Sequence, residues 1–498
     1  MALWLLVVVQ AAVAAASLVV EIVAGRMLAP YVGMSLYTWT SVIAVVLAGF
    51  SVGHWAGGWL AARDTRAGLA GTGWALAGAA ATTAAAVFVL RWAAGWVMPL
   101  ADGPVGAIVA LTGLAFFLPS FFAGVPAPVL AQIAVRQAGA ESGRALGAMF
   151  AAGAVGAIAG TLAAGFLFVS WLGSVGTLSA VTGLYAALAV LCFAAAARSG
   201  LSVALVLPLA LAGWALAQPD PCDVESDYFC IRVVELGGPP GAQARMMVLD
   251  HLVHGGAAED APLAQMTAHA AMLDALGRAR MAGRDGFSAF FIGGGTYSIP
   301  RAWAADDTMA TAEMTVAEID PAVTAMAAAR FWADHGQWRV VAADARRVLA
   351  AEGAAYDVVI GDAFTDIAVP AHLITAEFFA LVAARLTAEG VFLMNVVDAA
   401  PRFDVLAALV RTAREVWPVV EVWTEPPEMR GAAGGQQVFI LVGGARPTEV
   451  ARVGPQGRIA ARLTGASVEA LAASGDLVLR DDYAPVDRLI APAVRTEY

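Results

Sequence analysis

The chain has 498 residues, enough for two or three domains rather than one. Its 60% hydrophobic content and mean hydropathy of +0.73 exclude an ordinary soluble protein, and its net charge of −11 argues against a nucleic-acid partner. All 29 basic residues are arginine, so Schiff-base chemistry and a phosphate-loop lysine are excluded. Residues 1–217 carry seven arginines against four acids, and the rest 22 arginines against 36 acids, so an apolar, slightly basic part precedes an acidic one.

Residues 1–217 read as a membrane domain. The start, MALWLLVVVQ, lacks the basic region of a signal peptide, and the apolar sequence outlasts one. Helices of bilayer length are predicted near 3–24, 37–62, 69–90, 105–135, 146–170, 174–197 and 201–217, about seven in all. The fourth contains Pro119, Pro126 and Pro128, which predicts a kinked helix or a re-entrant piece. Gly153, Gly156 and Gly160 have the spacing of close helix contacts. Glu21 and Arg26 fall near the end of the first helix, either as an intramembrane functional carboxylate or as a pair at the interface.

The acidic part opens with the linker Gln218-Pro219-Asp220-Pro221, and short strands between 226 and 256 predict a small β-element within 218–262. A helical stretch over 263–277 carries Gln265 and His269. Ala289 to Ile292 has the character of a buried strand and runs into Gly293, Gly294 and Gly295. A helical segment follows, then a second strand, Met314 to Ala317, ending on Glu318. A strand, a glycine turn, a helix and a strand closed by an acid form a nucleotide-binding βαβ unit. The glycines let the backbone approach a ligand, and the acid accepts hydrogen bonds from ribose hydroxyls. Further strands at 338–342, 356–361, 390–396, 419–424 and 437–442 alternate with helices. The fold expected for 263–445 is therefore α/β: a Rossmann-like, methyltransferase-type doubly wound sheet, mostly parallel. Residues 446–498 form a less regular extension containing Asp481-Asp482-Tyr483.

Ligands of such sheets bind beyond the carboxyl ends of the strands, and three acids fall there. Glu318 suits a ribose, Asp344 an adenine amine, and Asp362 the reacting end, although each can instead cap the following helix. No phosphate-binding lysine or arginine accompanies the glycine turn, which argues against a phosphorylated dinucleotide. His251, His254 and His269 lack the spacing of a metal site, so no metal is expected and ordinary polar contacts are the default, with His254 able to face the ligand. Cys222 and Cys230 form a bridge if their side of the membrane is oxidising and are free thiols otherwise.

The ordered series LDHLVHG, QMTAH, FIGGG, VAEIDPAV, AADARRVL and YDVVIGDAF resembles the polyamine aminopropyltransferases, the spermidine synthase family, over 248–397. TYSIPRAW, HLITAEFFALVAARLTAEGVF and DDYAPVDRLI, with EIVAGRMLAP and YTWTSVIAVVLAGFSVGHWAGG near the start, are similar to its membrane-fused branch, in which a multi-helix domain precedes the enzyme domain. The resemblance implies a cofactor site of Gly293, Gly294, Gly295, Glu318 and Asp344 with Ala345, a catalytic Asp362, and substrate contacts from His254 and Gln265; Asp366, four residues beyond Asp362 in a loop able to close over an acceptor, is a further substrate contact by its placement. The resemblance also implies that an aminopropyl group moves from decarboxylated S-adenosylmethionine to a polyamine such as putrescine, releasing methylthioadenosine without a metal. Three positions depart from the family: Thr296 stands for an aspartate that grips the donor's amine, His254 for a glutamine and Leu263 for a tyrosine. Intact S-adenosylmethionine therefore stays open as the donor.

The expected function is membrane-bound aminopropyl transfer. The alternatives are another S-adenosylmethionine-dependent transferase, such as a methyltransferase on a small or membrane-delivered acceptor, and a transporter or sensor with a non-catalytic nucleoside-binding domain. The expected partners are a small-molecule amine and the lipid bilayer, with a homodimer allowed and no nucleic acid. A multi-pass protein of the cell (inner) membrane follows, but its sidedness is contested. With the N-terminus inside, Arg63, Arg66, Arg136, Arg144 and Arg198 are cytoplasmic and only Arg26 and Arg91 are outside, as the positive-inside rule favours. Seven helices then export the acidic part, and a Cys222–Cys230 bridge leans the same way. Adenosyl donors are made in the cytoplasm, and on that ground a cytoplasmic catalytic domain is preferred, which requires an inverted orientation or a different helix count.

Overall fold

The apolar segments of residues 1–217 form helices, whose backbone hydrogen bonds are satisfied within each segment. The computed structural model describes residues 1–101, 103–309, 311–351, 353–365, 368–400, 402–426, 428 and 436–494. Two units separate, one from Met1 to Pro221 and one beginning at Cys222. The first holds α1 (Leu3–Val32), α2 (Leu36–Ala61), α3 (Thr65–Leu100), α4 (Pro104–Gly124), α5 (Pro126–Ala138), α6 (Ser142–Ala163), α7 (Val169–Ala195) and α8 (Val206–Leu216). Five helical stretches are long and apolar enough to cross a membrane, one of them the 91-residue run Val105–Ala195 that contains several of these helices. Glu21 and Arg26 lie inside α1, which runs on to Val32.

Close contacts fix the direction of each helix. Gly49, Gly53 and Gly57 of α2 meet Ser120, Phe121 and Val125 in the same order, so α2 and the α4–α5 run are parallel. Gly156 and Gly160 of α6 meet Ala11 and Ala15, so α6 is parallel to α1. Gly73 near the start of α3 meets Phe193 near the end of α7, so those two are antiparallel. The reversal from α6 to α7 includes Gly173, whose φ of 65° and ψ of 178° break the helix. Phe88 stacks on Trp214, and Arg91 donates to the Pro219 carbonyl, so α8 runs with α3. With Gln137 bonded to Met1, Arg136 to Ala61 and Arg63, and Arg66 to Ala196, these directions make seven alternating helical runs among the described residues. Of the two proline alternatives the kink is found: α4 ends at Gly124 and α5 begins on Pro126, where the missing N–H has no helical partner to lose. Trp4, Trp55 and Trp59 near one end and Trp92, Trp96, Trp171 and Trp214 near the other are exposed, as in interfacial aromatic belts.

A Cβ at Gly156 or Gly160 would lie 2.1 or 2.2 Å from the carbonyl oxygens of Ala11 and Ala15. Gly156→Leu is expected to push α1 from α6 and to destabilise the bundle by at least the ~1–3 kcal/mol typical of overpacking. Thermal unfolding in detergent checks this, with the open position Gly147→Leu as control.

The second unit contains two sheets. β1 (Val224–Glu225), β2 (Cys230–Gly237), β3 (Ala244–Leu249) and β4 (Leu252–Ala258) form an antiparallel sheet in that order. The main sheet uses β5 (Phe287–Ile292), β6 (Ala312–Glu318), β7 (Arg339–Ala342), β8 (Tyr356–Gly361), β9 (Leu386–Ala399), β10 (Val419–Thr424), β11 (Gln436–Gly444), β12 (Arg452–Val453) and β13 (Ala460–Arg462). Their order is β12-β13-β10-β11-β9-β8-β5-β6-β7. Helices α9 (Ala268–Met281), α10 (Ser298–Ala304), α11 (Pro321–Arg330), α12 (Ala345–Ala351), α13 (Ala376–Ala384), α14 (Asp404–Arg414), α15 (Gly465–Ser474) and α16 (Val486–Val494) lie between and after the strands. Side chains alternate across the sheet, so Phe287 and Phe291 pack on Trp303 while Phe290 packs on Tyr356.

This is the expected α/β, Rossmann-like architecture, with one difference. β7, β6, β5, β8 and β9 are parallel, but β9 pairs antiparallel with β11, and β10, β13 and β12 continue antiparallel. Only residues 425–435 separate β10 from β11, too few for the helical crossover a parallel pair needs. The switch in strand order falls between β5 and β8, beside the glycine turn. The helix after the β-element starts at Ala268, so Gln265 precedes it.

Asp398, near the end of β9, accepts from the backbone N–H groups of Ala399 and Leu406, both at 2.8 Å, and so holds the start of α14. Burial pushes its carboxyl up to about 6. An unfolded aspartate titrates near 4, so the native state binds the extra proton between roughly pH 4 and 6. This contribution is fully present below that window and is lost as pH rises through it, up to about 3 kcal/mol. The stability of the full chain relative to Asp398→Asn is therefore expected to fall between pH 4 and 7, which thermal unfolding of both proteins measures.

Candidate functional site

The site begins at the turn after β5. Gly293 has a φ of +92°, and a Cβ there would lie 2.5 Å from the Asp362 carbonyl oxygen. A Cβ at Gly294 would meet the Tyr297 ring at 2.5 Å, and Gly295 has a φ of +52°. The turn therefore needs small residues for its own geometry, and it brings bare backbone to the edge of the sheet. From the other side β4 presses on it: Gly255 of β4 lies against Thr296, which is itself buried.

Beyond the ends of β5, β6, β7 and β8 lies a cavity of about 210 Å³, a size for a small molecule and not for a macromolecule. Gly293, Gly294, Gly295, Glu318, Asp344, Ala345, Asp362 and His254 all line it. Tyr228, Phe229, Ile299 and Leu373 supply apolar walls. Neither arginine nor lysine is among the described residues that line it.

Each carboxylate is held differently. Glu318 is only 6% exposed; one oxygen accepts from Gly294 N–H at 2.8 Å and the other from Asp320 N–H at 2.9 Å. Burial raises its pKa, and those two backbone donors oppose the rise. Asp344 accepts from the Arg347 N–H at 3.0 Å and so caps α12, while its second oxygen lies 2.7 Å from His372 Nε2. Capping and a place in the cavity wall thus coexist in this one residue. Asp362 accepts at Oδ1 from Asn395 Nδ2 at 2.8 Å, and its Oδ2 is 3.8 Å from His269 Nε2. Its backbone N–H donates to Ile292 O at 2.9 Å, which ties β8 to β5 independently of the side chain.

The His254 ring places Nδ1 3.0 Å from the Leu252 carbonyl. A carbonyl only accepts, so Nδ1 carries the proton and neutral His254 keeps Nε2 as an acceptor. Burial lowers its pKa, with the charge of Asp362 pulling the other way, which favours the neutral ring.

One expected substrate residue is not among those that line the cavity. Gln265 does not line it; its Nε2 donates to the Ser298 carbonyl at 3.3 Å, because it lies in the approach to α9 and turns back onto the start of α10. Asp366 lies outside the described residues. Three polar residues at the site carried no assignment from the sequence: Asn395, His372 and His269, the last read there as an ordinary polar contact. Asn395 left a trace, as a lone amide within the apolar run VFLMNVV. Among the described residues, no group of three His, Cys, Asp or Glu side chains is placed to hold a metal ion.

No family model and no curated protein matches the chain. Among solved structures it is similar to a probable spermidine synthase from Corynebacterium glutamicum ATCC 13032, at 20% identity over 54% of this chain and 99% of that one, with a TM-score of 0.46. It is also similar to human methyltransferase-like protein 13 in complex with SAH, at 20% identity over 44% of this chain and 96% of that one, with a TM-score of 0.29. The spermidine synthase from Thermotoga maritima matches at 18% identity over 45% of this chain and 76% of that one, with a TM-score of 0.32.

Proposed function

We propose that the second unit is a transferase that takes an adenosyl sulfonium donor and moves its aminopropyl group to a small amine. The observation that carries this reading is the ring of Glu318, Asp344 and Asp362 at the ends of three strands, with no arginine or lysine among the described residues lining the cavity. Carboxylates without cations favour a cationic or neutral nucleoside over a phosphorylated one. Glu318 has acceptor capacity left on both oxygens for ribose hydroxyls, and Asp344 with Ala345 is assigned the adenine. In the transfer, the amine nitrogen attacks the carbon beside the sulfonium and a C–N bond forms. The C–S bond breaks, its electron pair goes to sulfur, and neutral methylthioadenosine leaves. Asp362 Oδ2 is assigned to receive the proton that the amine gives up, while Asn395 fixes Oδ1.

One observation favours a second reading. Thr296, 2% exposed, occupies the position where the resembling family grips the donor's amine with a carboxylate. A neutral side chain there does not discriminate against the carboxylate of intact S-adenosylmethionine, and methyl transfer then becomes the competing chemistry.

Calorimetric titration tests the nucleoside assignment. Methylthioadenosine is expected to bind and ADP to bind at least tenfold more weakly; equal or tighter ADP binding overturns the reading.

A further inference from the structure

Two independent features bear on the side of the membrane at which the candidate site works. The first is the charge of the bundle's two ends. Gln137 Nε2 donates to the Met1 carbonyl at 3.2 Å, and Arg136 donates through Nη1 and Nη2 to Arg63 O at 2.6 Å and Ala61 O at 2.9 Å. Arg66 Nε donates to Ala196 O at 2.8 Å. These bonds gather the N-terminus, the α2–α3 and α5–α6 turns and the end of α7 at one end, which carries Arg63, Arg66, Arg136, Arg144 and Arg198. The other end has only Arg26 and Arg91, and there Arg91 Nη2 donates to Pro219 O at 3.0 Å, where the chain leaves α8. An excess of arginine in short loops marks the cytoplasmic face, so the chain leaves the bundle on the opposite face.

The second feature is covalent. Cys222 and Cys230 are disulfide-bonded and both are buried. The loop they close carries Tyr228 and Phe229, which line the cavity. Within it the Phe229 N–H donates to Ser226 Oγ at 2.8 Å, and the Ser226 hydroxyl donates to Asp320, two residues beyond Glu318. Cysteines in the cytoplasm of ordinary cells are kept reduced, whereas such bridges persist outside it.

We infer that the candidate site works on the non-cytoplasmic, oxidising side of the membrane, with the Cys222–Cys230 loop as part of its wall. This reverses the placement suggested by donor supply. On the reading proposed above, a charged adenosyl donor does not cross a bilayer unaided, so a transport step must precede transfer. The placement itself does not depend on that chemistry.

The test uses the full chain in intact cells, with single cysteines introduced at two exposed positions, Ser474→Cys in the second unit and Ala140→Cys at the arginine-rich end. A membrane-impermeant maleimide is expected to label Ser474→Cys in intact cells and Ala140→Cys only after permeabilisation. Cys222 and Cys230 are expected to take label only after a reductant is added. The reverse labelling pattern, or alkylation of Cys222 and Cys230 without reductant, overturns the inference. Neither readout requires turnover, so the placement and the proposed chemistry fail separately.

Discussion

Asp362→Asn is expected to lower turnover by about 10²–10⁴-fold while leaving the affinity for methylthioadenosine nearly unchanged. An acceptor amine is mostly protonated at neutral pH and cannot attack until it loses a proton. A carboxylate beside it attracts the cation, assists deprotonation and stabilises the positive charge that develops on nitrogen. The substitution isolates that role, because the asparagine oxygen can still accept the bond from Asn395 Nδ2. The local backbone is also secured by the Asp362 N–H bond to Ile292 O. Shape is therefore kept and the base is lost. If Asp362 were only structural, its loss would appear in thermal unfolding and not in turnover per folded molecule. A variant that melts early but keeps its specific activity contradicts the catalytic assignment.

Glu318→Ala is expected to weaken binding of an adenosine ligand by roughly 1.5–3 kcal/mol, the range for hydrogen bonds to a charged group and about 10–150-fold in affinity. The same carboxylate holds the Gly294 and Asp320 N–H groups, so the alanine variant also orphans two donors beside the cavity. Some loss of stability is expected with it. Glu318→Gln, which keeps the volume and one acceptor oxygen, is expected to fall between wild type and Glu318→Ala in affinity. Calorimetry with methylthioadenosine checks both, and unchanged affinity in a folded alanine variant removes Glu318 from the site.

Glu318, Asp344 and Asp362 were legible in the sequence because a parallel strand delivers its last residues to one rim, and that placement depends only on local pattern. What the acids touch was not legible. His372 reaches Asp344 from 28 residues away, and its place at the head of the quoted HLITAEFF piece did not disclose that contact. Asn395 meets Asp362 because β8 and β9 pair in the register Gly361↔Met394, and register is a tertiary property. Gln265 was expected on the substrate side; it does not line the cavity itself but bonds to the carbonyl of Ser298, which does, and local pattern did not disclose that contact. The cavity's aromatic wall was hidden for a similar reason: Tyr228 and Phe229 lie before the nucleotide-binding strands, and a disulfide closes the loop that carries them. The long apolar helices, by contrast, were legible through length and apolarity alone. Their alternating directions and the gathering of five arginines at one end required contacts between helices.

The most direct test of the proposed chemistry is the mass of the products. Purified full-length protein would be incubated with decarboxylated or intact S-adenosylmethionine and a panel of small amines, and both the nucleoside and the amine products weighed. The expected result is methylthioadenosine together with an amine heavier by one aminopropyl group, formed from the decarboxylated donor and greatly reduced in Asp362→Asn. S-adenosylhomocysteine with a methylated acceptor, or nucleoside binding without any product, would contradict aminopropyl transfer.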